Sequence, residues 1–278
     1  MKHLFDTVSI KTSQYTTRLY STSFSLGIKF LNQRFQNPIY AVYGFVRLGD
    51  EIVDTFHDYD QNKLMEEFKE DVYNAVNDKF SLNPILNSFQ HVYHKYNMEQ
   101  ELVDLFIQSM EMDLDTKQHN SQSYKDYILG SAEVVGLMCL RIFCEGDKEL
   151  YQELKPHAMS LGSAFQKINF LRDVKADFQT LGRTYFPGVD LNDFTDRAKI
   201  QIELDIEKDF AYGLEGIKKL PKDSRFGVYM AYRYFHGLFK KIKRTSPFYI
   251  LQHRVRLSNF MKYMMFFRGY LRFKLNLI

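Results

Sequence analysis

The chain has 278 residues, 45% hydrophobic and 26% charged, with a formal net charge of +3. That length and apolar content support a substantial core in one large domain or two small ones and exclude disordered and fibrous classes. Two cysteines, Cys139 and Cys144 in GLMCLRIFC, supply neither a disulfide framework nor a metal-ligand set, so both are expected as packed thiols in a reducing compartment.

Few glycines and prolines interrupt long apolar runs of helical period, and an all-α protein is expected, organised as a single domain over 1–278. The first stretch, MKHLFDTVSIKTSQYTTRLYSTSF, breaks its apolar residues with polar ones throughout, so no signal peptide is expected there. Predicted helices then cover 38–57, 61–78, 83–96, 98–117, 122–144, 147–178, 195–219, 223–244 and 250–272. Pro38, Pro84, Pro156, Pro187, Pro221 and Pro247 are expected at turns or helix starts. No segment approaches the roughly 20 apolar residues needed to cross a bilayer. The expected location is therefore cytoplasmic, with contact at most on the inner face of the membrane.

In the first predicted helix, Phe45, Leu48, Gly49, Ile52, Val53 and Phe56 make a core-facing stripe. Tyr43, Arg47, Asp50 and Asp54 fall within about 60° of one another on the opposite side. Carboxylates four residues apart repel by a few tenths of a kcal/mol in water and by more in a cleft, a cost that a bound cation removes. A solvated helix face is the plain alternative. The spacing itself is common here, occurring also at Asp54/Asp58, Asp173/Asp177 and Asp205/Asp209.

The helix over 147–178 repeats the arrangement, because Gln166, Asn169, Asp173 and Asp177 lie within about 40° of one direction. This second polar ribbon runs along a helix that otherwise carries Phe165, Ile168, Phe170, Leu171 and Val174. Oxygen donors without histidine or cysteine favour Mg²⁺, with Mn²⁺ as substitute, bridging to substrate phosphates. Arg47, Arg172 and Arg183 lie where a diphosphate would need bidentate partners.

Residues 224–278 carry twelve Lys or Arg and no Asp or Glu, whereas the rest of the chain has 25 basic and 34 acidic residues. The final segment, about 250–278, is basic, aromatic and amphipathic. It suits peripheral contact with an anionic membrane, its plain alternative being a packed last helix. No nucleic-acid module accompanies the charge, so no nucleic-acid partner is expected. The oligomeric state is left open.

STSFS at 21–25, YGFVRLGDEIVD at 43–54, YILGSAEVVG at 127–136 and FQKINFLRDVKADFQTLGRTYFP at 165–187 stand in the order and spacing of the squalene and phytoene synthases, and the chain resembles that family. The resemblance implies an isoprenoid synthase fold, helices around a central cavity, and head-to-head condensation of two prenyl diphosphates through a cyclopropyl diphosphate. It implies that Asp50, Asp54, Asn169, Asp173 and Asp177 hold Mg²⁺. Ser21, Ser23, Arg47, Gln166, Arg172 and Arg183 would line the diphosphate region, with Phe24, Tyr43 and Tyr185 toward the reacting carbons. Basic residues of RVRLSNFMK, among them Arg254, Arg256 and Lys262, match the family poorly. DEIVD is similar to the DELVD of phytoene synthases, so two C20 geranylgeranyl diphosphates are the expected substrates, without NADPH and in carotenoid biosynthesis. The alternatives are a dehydrosqualene or squalene synthase using two C15 farnesyl diphosphates, and a non-enzymatic lipid-binding or assembly protein on the same helices.

Overall fold

The computed structural model describes residues 1–115, 118–179 and 182–275. The predicted helix end at 116–117, positions 180–181 of the second ribbon's motif and the last three residues of the tail lie outside them. Among the described residues there are helices and one isolated bridge, Gln118 with Thr184, and no longer strand.

The polar N-terminus is helical after all. It forms α1 (Lys2–Tyr20) and α2 (Thr22–Lys29), which the apolar-period reading did not anticipate. The buried face of α1 is Ser9, Ser13 and Thr17, each fully buried, four residues apart and hydroxylic instead of apolar. Ser13 shares a 2.7 Å hydrogen bond with Ser88, and Asn87 donates to Ser9 at 3.0 Å. Small side chains allow a close approach: a Cβ added to Gly44 would meet Ser13 Oγ at 2.9 Å.

Helix α3 (Gln33–Asp54) carries the first ribbon, starting earlier and ending earlier than predicted. Of its stripe, Phe45, Gly49, Ile52 and Val53 are buried and Leu48 and Phe56 half-buried, with Phe45 stacked on Phe89 at 4.0 Å and beside Phe106 at 4.9 Å. Burying one such ring contributes about 1.5–3 kcal/mol. Around it pack α4 (Gln61–Asp78), α5 (Pro84–Lys95) and α6 (Gln100–Asp115). Pro84 opens α5 and Pro221 caps a later helix, but Pro38 and Pro156 lie inside helices, against expectation. Both stand beyond the first turn, where proline removes a hydrogen bond that the helix would otherwise make.

Next come α7 (Ser121–Ile128), a π-helical turn (Leu129–Glu133) and α8 (Val134–Cys144), running as one helix of 24 residues. By length and composition alone it is apolar enough to span a bilayer, which the sequence reading did not anticipate. It is a core helix, with Tyr127, Ile128, Val134, Leu137, Met138 and Ile142 buried. Gly130 is required in the π turn, since a Cβ there would lie 2.4 Å from the Leu105 carbonyl oxygen.

Helix α9 (Lys148–Gln179) is the spine and carries the second ribbon. Helix α10 (Asp196–Lys219) packs along it closely, as a Cβ on Gly216 would lie 2.3 Å from His157 Cβ and one on Gly213 would fit only tightly, 3.1 Å from Leu161 Cβ. Helix α11 (Lys222–Lys243) follows, and the predicted tail helix divides into α12 (Pro247–Gln252) and α13 (Asn259–Lys274), pinned between by buried Val255 and Leu257. One apolar cluster surrounds α3, α6 and α8, and a second surrounds α9, α10 and α11. The two ribbons lie on the seam between them.

Candidate active site

Helix α3 ends at the ribbon. Asp50 is recessed in a cleft that water still reaches, its side chain 32% exposed. Burial raises its carboxyl to about 7; Asp54 and Asp113 add to the rise, and Arg47 opposes it. Arg47 pairs with Glu51 and lies 3.8 Å from Asp50, its guanidinium 4.3 Å from the centre of the Tyr20 ring. Glu51 is buried, whereas Asp58 lies exposed in the turn beyond the helix.

Across the seam, burial raises Asp177 to about 7, followed by the charges of Asp173 and then Asp54. The two ribbons therefore face each other closely enough for Asp54 and Asp177 to repel. Asp173 is held differently: Arg172 Nε donates to its Oδ1 at 3.0 Å, and Arg254 Nε lies 2.7 Å from the same oxygen. Asn169 donates to Gln166 at 3.3 Å and Gln166 to Ser131 of the π turn at 3.3 Å. The Asn169 Oδ1 is buried and, among the described residues, accepts no hydrogen bond. A buried acceptor left alone costs about 1–3 kcal/mol, so this oxygen is a donor atom awaiting a partner.

Arg183 joins the ribbons. It donates to Asp54 Oδ1 at 3.0 Å and to the carbonyls of Val53 at 3.0 Å and Asp113 at 3.1 Å, and its own amide donates to the Asp177 carbonyl at 2.8 Å. Gly182, at φ +67°, makes the turn that brings it there. The bridge between Gln118 and Thr184 fixes the same segment against the end of α6.

Ser21 caps α2 by accepting from the Phe24 amide at 3.1 Å and reaches the Tyr43 hydroxyl. Burial raises the Tyr43 phenol, which also feels Arg47, Asp50 and Arg172. Phe24 packs on Tyr43, ring centres 5.3 Å apart. Ser23 is half-buried on α2 and makes none of these contacts. Tyr185 lies behind the carboxylates, buried in a stack with Phe170 at 4.0 Å and His119 at 5.5 Å.

Three participants were not anticipated as site residues. Asp113 accepts from Tyr127 at 2.6 Å and Tyr185 at 3.4 Å and lies 3.9 Å from Arg183; burial raises it to about 6. Its signal was legible, as it continues the buried stripe Phe106, Met110 with a charge. Arg254 clamps Asp173 although its segment matches the resembled family poorly. Ser131 belongs to the π turn, a helical irregularity often found at functional sites.

Paired carboxylates on facing helices, joined by arginines and backed by aromatic rings, define a site for a polyanion attached to an apolar chain. The chain belongs to the squalene/phytoene synthase family, whose model matches residues 17–261. It is 24% identical over 263 residues to the 4,4'-diapophytoene synthase of Staphylococcus haemolyticus, covering 88% of this chain and 90% of that one. It is 24% identical over 254 residues to the phytoene synthase of Cereibacter sphaeroides, covering 82% of this chain and 70% of that one. The crystal structure of a dehydrosqualene synthase in complex with ligand superposes with a TM-score of 0.83 at 20% identity, over 97% of this chain and 98% of that one. The fold is the isoprenoid synthase fold, and family members are head-to-head prenyltransferases.

Proposed function

We propose that the protein is a Mg²⁺-dependent phytoene synthase, joining two C20 prenyl diphosphates head to head. The observation that carries the reading is the facing of Asp50/Asp54 and Asp173/Asp177 across one seam, close enough for Asp54 and Asp177 to repel. The donors fit hard divalent cations: they are all oxygens, the Asn169 oxygen is unpartnered among the described residues, and two carboxyls are raised to about 7 by burial and then by neighbouring carboxylates. Among the described residues no three acids, histidines or cysteines converge on one point. Asp50, Asp54, Asn169, Asp173 and Asp177 would hold the ions, which when bound neutralise charge developing on the departing diphosphate.

The chain's own groups do the rest. Arg172 and Arg254, fixed on Asp173, present guanidinium edges to diphosphate oxygens, while Arg183 keeps Asp54 oriented from behind. Phe24 and Tyr43 offer ring faces, each able to stabilise a carbocation by roughly 0.5–2 kcal/mol without attacking it. Exclusion of water by the apolar surroundings prevents capture of that cation as an alcohol.

The C20 choice rests on DEIVD and on the likeness to a phytoene synthase. A second reading, two C15 diphosphates, is favoured by the likeness to a diapophytoene synthase and a dehydrosqualene synthase. Product analysis of purified protein with Mg²⁺ and geranylgeranyl or farnesyl diphosphate, each with and without NADPH, decides. Phytoene from the C20 substrate, unaffected by NADPH, supports the proposal. A C30 hydrocarbon moves it to the second reading, and no product from either substrate overturns both.

A further inference from the structure

On the side of α11 turned toward α10 and α13 lies a cleft of about 560 Å³, separate from the carboxylate seam. Tyr229, Met261 and Met265 give it an apolar lining, and its rim carries Arg233, Lys240, Lys241, Arg244 and Arg272. Among the described residues none of these five cations forms an ion pair with a carboxylate, and Lys241 is engaged only by donating to the Arg256 carbonyl at 2.6 Å. Five neighbouring cations without counter-charges raise the local potential and favour an anionic occupant.

The neighbouring surface says what kind of anion. Taking Phe260 as zero on α13, Tyr263, Phe267, Leu271 and Met264 fall within an arc of about 100° around it. All five are exposed, Phe260 by 74%, Tyr263 by 70% and Phe267 by 60%. The opposite side of the helix, through Phe266 and Gly269, packs on the domain. Arg268 and Arg272 line one edge of the apolar face, and along that edge Met261, Met265 and Arg272 turn into the cationic cleft. An apolar helix face bordered by arginines and adjoining a cationic pocket matches the boundary between acyl chains and anionic headgroups. A soluble anion would not use the apolar face, and a second copy of the same surface would oppose five cations to five cations.

We propose that the α11–α13 cleft and the apolar face of α13 together form a docking site for anionic bilayer lipid, with a headgroup in the cleft and Phe260, Phe267 and Leu271 among the acyl chains. The site is independent of the chemistry at the ribbons. The test is flotation of the full-length protein with phosphatidylcholine vesicles lacking or containing phosphatidylglycerol. Wild type is expected on the anionic vesicles only, and less so at high salt. Lys240→Gln with Arg244→Gln is expected to weaken binding about thirty-fold, and Phe267→Ser at least about ten-fold. Lys11→Gln with Lys79→Gln, exposed charges outside the cleft and α13, is expected to leave binding unchanged. Prenyl transfer in detergent by all these variants should match wild type, which separates docking from folding. Equal binding to neutral vesicles, or equal loss in the two double variants, overturns the proposal. So does a dimer in sedimentation that Phe267→Ser dissociates without any vesicle binding.

Discussion

The two aspartate pairs have the same spacing and opposite neighbourhoods. In the α9 pair the first member, Asp173, is gripped by Arg172 and Arg254, while Asp177 has no comparable clamp among the described residues and is raised to about 7. In the α3 pair the order reverses: Asp54 is held by Arg183, while Asp50 has only Arg47 at 3.8 Å and is likewise raised to about 7. Each ribbon thus contains one carboxylate whose charge the protein balances and one left for something else to balance. Identical i, i+4 spacing does not determine which is which. The arginines that decide arrive from distant parts of the chain.

This division predicts unequal mutational effects. The largest falls on the unclamped pair: Asp50→Asn or Asp177→Asn should lower turnover by about two to three orders of magnitude. Because each carboxylate is carried at a raised pKa, either substitution should also raise the melting temperature of the metal-free protein at about pH 8. Loss of activity together with loss of stability would break the distinction between clamped and unclamped acids.

Arg183→Ala should act mainly on stability, at about 3–5 kcal/mol in urea unfolding, because it leaves Asp54, Asp113 and two carbonyls without their cation. A cost below about 1 kcal/mol would mean that the two ribbons are not joined through it. Arg254→Gln should change stability by less than about 1 kcal/mol, as its side chain is half exposed, yet raise KM on the order of ten-fold. An unchanged KM would remove Arg254 from the diphosphate region.

The same comparison predicts how stability depends on pH. Asp50 and Asp177 near 7, Asp113 near 6 and Glu133 near 7 all bind protons more tightly folded than unfolded. Their contribution is complete below the unfolded value and is lost as pH rises through about 7. Asp6 and Glu99 are lowered and act in the opposite sense, but only as pH falls below the ordinary carboxylate range. The melting temperature of the metal-free protein should therefore decline from about pH 5 to about pH 8, and Mg²⁺ with inorganic diphosphate should flatten the decline. A rising curve would mean that the unclamped carboxyls are ordinary surface acids.

How much was legible depended on the kind of pattern. Helix α4 is observed at its predicted bounds, 61–78, because Met65, Phe68, Val72, Ala75 and Val76 repeat on one face and Asp60 caps it. Helix α1 was missed because its buried face is hydroxylic, and a hydropathy period cannot register Ser9, Ser13 and Thr17 as interior. The tail divided where Val255 and Leu257 turn inward, a packing decision within an evenly basic, aromatic stretch.

The sequence by itself determined the helical class, the two oxygen-rich ribbons and the acid-free C-terminal fifth, because periodicity and composition are local and additive. Only the tertiary structure decided that Arg183 holds Asp54 across 129 positions, that Arg254 holds Asp173 across 81, and that Asp113 stands behind them. Those pairings depend on which helix ends meet when the core closes. A charge carries no mark of its partner until burial makes leaving it unpaired costly.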